Sequence, residues 1–217
     1  MRTIRHRSLS HAFALLALCA LAGCSQAPPR SAPPADQAIA DAAARHPEAE
    51  SHALDPVHTR VMIAVDHAGF SKAIGIVSGT TGTLLLVPGS WEGAHVSARI
   101  PLSRLDFGDE RWNRAVAAGG LLDSDRHPVA SFRSLRVEPL DAAHARIHGE
   151  LTLRGTTREV VLDAVRNAER RHPLPPFRHT VGFSATATLS RAEFGSTAWG
   201  SMIGDVVEVR IEVEAVR

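Results

Sequence analysis

Twelve histidines make metal binding the first chemistry to consider in this chain of 217 residues. His144 and His148 are four residues apart, a spacing that brings side chains together on a helix. The apolar alternation around them predicts a strand instead. Four strand residues span about 13 Å, too far for one ion bound to nitrogens at about 2 Å. His58 and His67 flank another predicted strand and are expected to stabilise turns, so we expect no metal site.

A cluster of acidic residues is the second feature that could do chemistry. Asp106, Asp109, Glu110, Asp123 and Asp125 surround a predicted helix, and paired carboxylates can act as general acid and base. Favourable charge at the helix N-terminus and solvated loops account for the same residues. The sequence also lacks a Gly-x-Ser-x-Gly motif and a phosphate-binding glycine loop. We expect no catalytic residues and a protein that is not an enzyme.

The two cysteines, Cys19 and Cys24, lie in and directly after an N-terminal apolar segment. Residues 12–22 are uniformly apolar and follow three arginines. Eleven residues form a helix of about 16 Å, half of a bilayer core, which is typical of a signal rather than an anchor. The segment ends in Leu21-Ala22-Gly23-Cys24, which resembles a bacterial lipobox, whose cysteine takes a diacylglycerol. The alternative is an ordinary secretory signal with an incidental cysteine.

The lipobox interpretation makes residues 1–23 a lipoprotein signal peptide and Cys24 an acylated membrane anchor carrying chains such as palmitate. Ser25 follows the cysteine, where aspartate would retain a lipoprotein in the inner membrane. We therefore expect a cell-envelope protein, lipid-anchored on the periplasmic face of the outer membrane. Cys19 leaves with the signal, so the mature chain has no disulfide.

The rest of the chain divides into a linker over 24–52 and one domain over 53–217. The linker is rich in proline over residues 25–34, and residues 36–45 could form one short helix. The net charge of the chain is +1, so nothing suggests binding to nucleic acid.

Alternating apolar and polar residues define the strands of the domain. Val207, Val209, Ile211 and Val213 alternate with charged residues, which predicts a strand with one buried face. Similar runs predict eight or nine antiparallel strands, a bulge within 129–137, a hairpin at 154–157 and a helix over 109–118. Half-buried strands in this number favour a closed all-β barrel or a sandwich.

The residues predicted to face inward are small, which would leave space for an apolar guest in a barrel of about eight strands. Ala187 belongs to the same face as Ala185. The alternative is a fully packed core. The candidate ligand-binding residues are Val61, Ile63, Val65, Phe132, Leu151, Leu153, Val160, Leu162, Phe183, Ala185, Val209 and Ile211.

Several segments of the domain resemble the YceI-like, polyisoprenoid-binding family of bacterial envelope proteins. The matching segments begin with Leu54-Asp55-Pro56-Val57-His58-Thr59-Arg60-Val61 and Asp66-His67-Ala68-Gly69, and continue with residues 123–132, 149–162, 190–195 and 203–207. The resemblance implies a lipocalin-like antiparallel barrel that holds an isoprenoid chain. It also implies no cofactor beyond that lipid, and frequent assembly as a homodimer.

One segment departs from the family pattern, which usually shows an Arg-Asp-x-His-Leu run before a Phe-Phe-Asp. Here Trp112, Asn113, Ala115, Val116, Leu121 and Leu122 stand ahead of Asp123. The departure lies by the predicted helix, at the mouth of the pocket, where the resemblance implies the head-group contacts.

Two functions from different classes follow. The first is a lipid-binding or carrier lipoprotein for polyprenyl or quinone-type isoprenoids. The second is a scaffold or stress-related interaction lipoprotein whose barrel is filled by its own side chains.

Overall fold

The computed structural model describes residues 34–217; Cys24, the signal segment and the proline-rich part of the linker lie outside them. Two short 3₁₀ helices cover Leu102–Arg104 and Ala192–Phe194. The helices and strands are α1 (Pro34–Arg45), β1 (Glu50–Leu54), β2 (Arg60–His67), β3 (Ser71–Ser78), β4 (Thr81–Leu86), β5 (His95–Pro101), β6 (Leu105–Asp106), α2 (Glu110–Ala117), β7 (Val129–Pro139), β8 (His144–Leu153), β9 (Thr156–Arg171), β10 (His179–Ser190) and β11 (Ile203–Val216).

Eight of these strands form a closed antiparallel barrel in the order β1-β4-β5-β7-β8-β9-β10-β11, and β1 pairs with β11 to complete the ring. The predicted all-β barrel of about eight strands is thus confirmed. The closing contact is short, because it consists of Ala53 opposite Val216 and Leu54 opposite Ala215. By comparison, β10 and β11 are paired over eleven positions.

Three further strands extend the wall beyond this ring. β2 follows β1 along β11, β3 pairs with β2, and the two-residue β6 pairs with β3. Because β1 and β2 lie one after the other beside β11, they act as one interrupted strand of the wall. The chain continues from β6 directly towards α2 at this end of the barrel.

The side-chain alternation of the strands matches their register. Val207, Val209 and Ile211 of β11 stand opposite Val65, Ile63 and Val61 of β2. The same three residues stand opposite Leu189, Ala187 and Ala185 of β10. Opposed residues share one face of a sheet, so all nine side chains point to the same side of the wall, which is the interior.

Two local predictions are also confirmed. A register shift between Ser134 and Arg136 is the bulge expected in β7. Arg154 and Gly155 connect β8 to β9 with φ of 53° and 73°, the left-handed pair that a tight two-residue hairpin turn requires.

Gly149 in β8 makes room for the largest inward side chain of β7. A Cβ at this position would lie 2.4 Å from Cζ of Phe132 and 2.5 Å from the carbonyl oxygen of Arg133. Phe132 therefore lies across the glycine and fills part of the barrel interior.

The two helices have different roles. The predicted helix near residues 109–118 is α2, and its N-cap Asp109 accepts hydrogen bonds from the backbone N–H groups of Arg111 and Trp112. α1 contacts β4 and β5 and buries Ala42 completely. Strand β1 begins at Glu50, so the packed part of the chain starts before the boundary expected at residue 53. Neither helix is long and apolar enough to cross a membrane.

Candidate ligand-binding cavity

The barrel encloses an apolar cavity of about 470 Å³. It is lined along β11 by Val207, Val209, Ile211 and Val213, which span about 20 Å at the rise of a strand. Pockets that hold small molecules have volumes of about 300–1,000 Å³. The interior is thus not filled by the protein's own side chains, and the space is long compared with its volume.

All of the candidate ligand-binding residues line this cavity, and Ala187 lines it with them. Whether they contact a ligand stays a prediction. The twelve are Val61, Ile63, Val65, Phe132, Leu151, Leu153, Val160, Leu162, Phe183, Ala185, Val209 and Ile211.

One end of the barrel is packed shut. Leu86, Val181 and Ala215 are fully buried there, and Leu54 and Trp91 are nearly so. The indole of Trp91 lies 5.6 Å from the ring of Phe183, measured between centroids. The Arg166 guanidinium also lies over this indole, 5.1 Å from the ring centroid. These residues close the cavity at this end.

The opposite end is formed by α2 and the segment that follows it. Trp112, Ala115, Val116, Leu121 and Leu122 all line the cavity, and Trp112 stacks near His67 with 5.1 Å between ring centroids. Asn113 is the exception in this segment, because it bonds to Asp106 and to the backbone N–H of Phe107. The segment that departs from the family pattern therefore supplies an apolar cap to the cavity.

Exposed apolar side chains surround this capped end. Phe70 is 92% exposed and Trp199 is 66% exposed, although Trp199 also lines the cavity with Met202. A hydrogen bond from the N–H of Ala68 to the carbonyl of Met202 joins the β2–β3 turn to the β10–β11 loop. An apolar guest leaving the cavity here would meet apolar surface.

Arg191 holds the β10–β11 loop in place. Its guanidinium donates hydrogen bonds to the carbonyl oxygens of Ser196, Ala198, Ile203 and Gly204 at 2.6–3.0 Å. These bonds fix both ends of the loop that carries Trp199.

Few polar groups face the cavity. Oγ1 of Thr80 and Nε1 of Trp91 are buried without a hydrogen-bond partner among the described residues. Burial lowers the pKa of His95, which keeps its ring neutral near pH 7. Thr80, His95 and Phe107 were not predicted to line the cavity, because they lie in or beside turns where no alternation marks an inward side.

The acidic residues near α2 are bound within their own loops. Asp106 accepts from Asn113 and Gly108, Asp109 caps α2, and Asp123 pairs with Arg126 at 2.6 Å. These three carboxylates thus have structural partners close in sequence, in line with the helix-end and loop roles expected for the cluster.

Several of the described histidines form pairs with carboxylates. His144 pairs with Asp141 at 2.9 Å, and His148 with Glu138 at 3.1 Å. His58 pairs with Asp55 at 2.8 Å, and this hydrogen bond raises the pKa of His58. His58 therefore stabilises a turn, as expected.

Folding also creates two groups of histidine and carboxylate ligand atoms that the sequence spacing did not reveal. They are Asp55 with His58 and Glu214, and Glu50 with His52 and His179. In the second group His52 is 1% exposed, and burial lowers its pKa. The first group joins the turn after β1 to Glu214 of β11, and the second joins two residues of β1 to the first residue of β10. Spacing along the chain could therefore not predict either complete group.

Comparison with known proteins identifies relatives over most of the chain. The family model described as the YceI-like domain matches residues 52–215. A UPF0312 protein of Ectopseudomonas mendocina is 26% identical over 171 residues, which cover 78% of this chain and 88% of the relative. A UPF0312 protein of Pseudomonas putida strain W619 is 28% identical over 160 residues, covering 74% and 82%.

Solved structures show the same fold. BcnA of Burkholderia cenocepacia matches with a TM-score of 0.64 at 18% identity, covering 72% of this chain and 95% of BcnA. A polyisoprenoid binding domain from Saccharophagus degradans matches with a TM-score of 0.54 at 13% identity, covering 76% and 97%. At these identities the likeness establishes the barrel architecture alone.

Proposed function

This chain belongs to the YceI-like family, and from that premise we propose that it binds a long-chain isoprenoid lipid, polyprenyl or quinone-type, inside its barrel. We further propose that it does so as a lipid-binding or carrier lipoprotein of the cell envelope, held to the outer membrane through Cys24. The observation that carries the first proposal is the apolar cavity of about 470 Å³ that runs along β11.

The cavity favours an apolar guest because water would find few hydrogen-bond partners there. A buried water needs two to four polar partners, and the lining offers very few. Transfer of an apolar group from water gains about 0.8 kcal/mol for each CH₂ buried. A five-carbon isoprene unit thus gains roughly 4 kcal/mol, from which the entropic cost of association is subtracted.

The shape of the cavity favours a slender chain over a compact guest. The lining follows β11 for about 20 Å, and it includes Trp91 at the packed end and Trp112 of α2 at the other. An eight-stranded barrel leaves room for side chains or one small ligand, so the space suits a single extended chain. The Saccharophagus degradans neighbour, described as a polyisoprenoid binding domain, supports the same ligand class.

The scaffold alternative needs a barrel filled by its own side chains. Instead, the space is lined in part by the small residues Ala98, Ala185 and Ala187. The unfilled volume therefore supports binding as the function.

A titration with an isoprenoid quinone tests the proposal. Trp91 and Trp112 line opposite ends of the cavity, so a quinone inside should quench their fluorescence. We expect saturable one-to-one quenching of the delipidated protein, and a loss of affinity of at least about tenfold in Ala185→Phe, whose ring would occupy the path of the chain.

Thr188→Phe is the matched control, because Thr188 lies on the same strand and is exposed outside the barrel. It should bind like the parent. Quenching that does not saturate, or that is equal in the parent and in both variants, would contradict the proposal.

A further inference from the structure

We propose that Glu50, His52 and His179 form a binding site for a divalent transition-metal ion, with zinc as the best fit, at the packed end of the barrel. One ligand atom from each of the three residues lies within 4.8 Å of the other two. None of the three lines the apolar cavity, so this site is separate from the proposed lipid site.

The polar atoms of this cluster lack other partners. Oε2 of Glu50, Nε2 of His52 and Nδ1 of His179 are buried and make no hydrogen bond to the described residues. Leaving a buried acceptor unpaired costs about 1–3 kcal/mol. Each residue thus offers an unpartnered atom within a cluster whose ligand atoms lie within 4.8 Å of one another, and a shared partner explains all three.

The remaining atoms of the cluster are arranged as in known metal centres. Nδ1 of His52 lies 3.2 Å from the carbonyl oxygen of Glu50, which places the ring proton there and leaves a lone pair on Nε2. Metal-bound histidines commonly donate their second nitrogen to a backbone carbonyl in this way. The Arg217 guanidinium bonds Oε1 of Glu50 at 2.7 Å, so Oε2 stays free to coordinate.

The ligand set selects the ion. Two imidazoles and a carboxylate suit zinc and its neighbours rather than magnesium or calcium. Ligands at about 2.1 Å from one ion lie at most about 4.2 Å apart, so binding requires a small inward rotation of the side chains. The ring centroids of His52 and His179 are 6.0 Å apart, which permits it. Water would complete a tetrahedral site.

The position of the cluster indicates what an ion would do. Glu50 and His52 belong to β1, and His179 is the first residue of β10; the end of β11 lies between these strands. β1 closes the barrel through only two paired positions. An ion shared between β1 and β10 would hold this short seam closed.

The second histidine–carboxylate group serves as an internal control. In the cluster of Asp55, His58 and Glu214, the ring of His58 already bonds Asp55 at 2.8 Å and is 57% exposed. Neither Asp55 nor His58 has an unpartnered buried atom. His58→Gln should therefore leave zinc binding unchanged, whereas His179→Gln should remove it.

The test measures zinc bound by purified protein after removal of metals with a chelator and dialysis. We expect one zinc per chain in the parent and in His58→Gln, with a higher melting temperature in zinc. Co²⁺ should give the visible absorption of a tetrahedral site. Glu50→Gln should weaken binding by more than about tenfold, and His179→Gln should show neither the bound ion nor the thermal shift.

Absence of stoichiometric zinc from the parent would overturn the proposal, since water alone would then fill the space. Equal loss of binding in His58→Gln and His179→Gln would overturn it as well. The direct measurement on the parent requires no variant to fold, and His179 is only partly buried, which makes its substitution milder than that of His52. Isoprenoid binding can fail or succeed independently of either outcome.

Discussion

Single residues on β10 determine how much of the barrel is empty. Ala185 and Ala187 face the cavity between Phe183 and Leu189, and they stand opposite Ile211 and Val209 of β11. A side chain of ordinary size at either position would fill the centre of the cavity. The volume therefore depends on a few small residues rather than on the strand arrangement.

The stability of Ala185→Phe separates a cavity from a packed core. If the space is open, the ring occupies it, and the free energy of unfolding of the delipidated protein should change by less than about 1 kcal/mol. An overpacked core would lose about 1–3 kcal/mol, or roughly 2–4 °C in melting temperature for each kcal/mol at this size. Thermal unfolding of the delipidated parent, Ala185→Phe and Thr188→Phe distinguishes an open cavity from a packed core. A melting temperature of Ala185→Phe well below those of the parent and Thr188→Phe would contradict an open cavity.

At the scale of single elements, the sequence predicted a strand well where one face of the strand is buried and the other is exposed. β11 alternates cleanly, and its predicted inward residues line the cavity, as do those of β2 and β10. β1 was missed because its buried residues are His52 and Leu54, only one of which is apolar. β9 extends from Thr156 to Arg171, far beyond its apolar run at 160–164, because pairing with β8 and β10 holds its polar ends in the sheet.

The cap at α2 shows where sequence patterns reach their limit. The helix was predicted from its helix-forming residues, the acidic residues at its start and the two glycines that follow it, but the side that it turns towards the barrel was not predicted. Trp112 is 39% exposed and still lines the cavity, so neither periodicity nor burial alone marks it. The residues at this end of the cavity are placed by contacts between segments that are distant in the sequence, such as the contact between Trp112 and His67.

At the scale of the whole molecule, the two ends of the barrel differ in chemistry. One end is packed around Trp91, with the polar cluster of Glu50, His52 and His179 nearby in β1 and β10. The other end carries the cap and the exposed Phe70 and Trp199. The capped end is therefore the end at which we expect the proposed guest to enter and leave.

Attachment to a membrane through Cys24 is a prediction of the sequence. Cys24→Ala should block processing as a lipoprotein and move the protein out of the detergent phase on partitioning. Cys19→Ala is the matched control, because that residue lies within the expected signal and should leave partitioning unchanged. Membrane association that persists in Cys24→Ala would contradict acylation at this residue.

The central claim is that an isoprenoid occupies the barrel, and the lipid content of the native protein tests it most directly. The protein is purified from its own host, extracted with organic solvent, and the extract is quantified by mass spectrometry against the Ala185→Phe variant. We predict about one long-chain isoprenoid for each chain of the parent and a strongly reduced amount in the variant. An extract of the parent that contains no isoprenoid, or only membrane phospholipid in equal amounts in both proteins, would contradict the account.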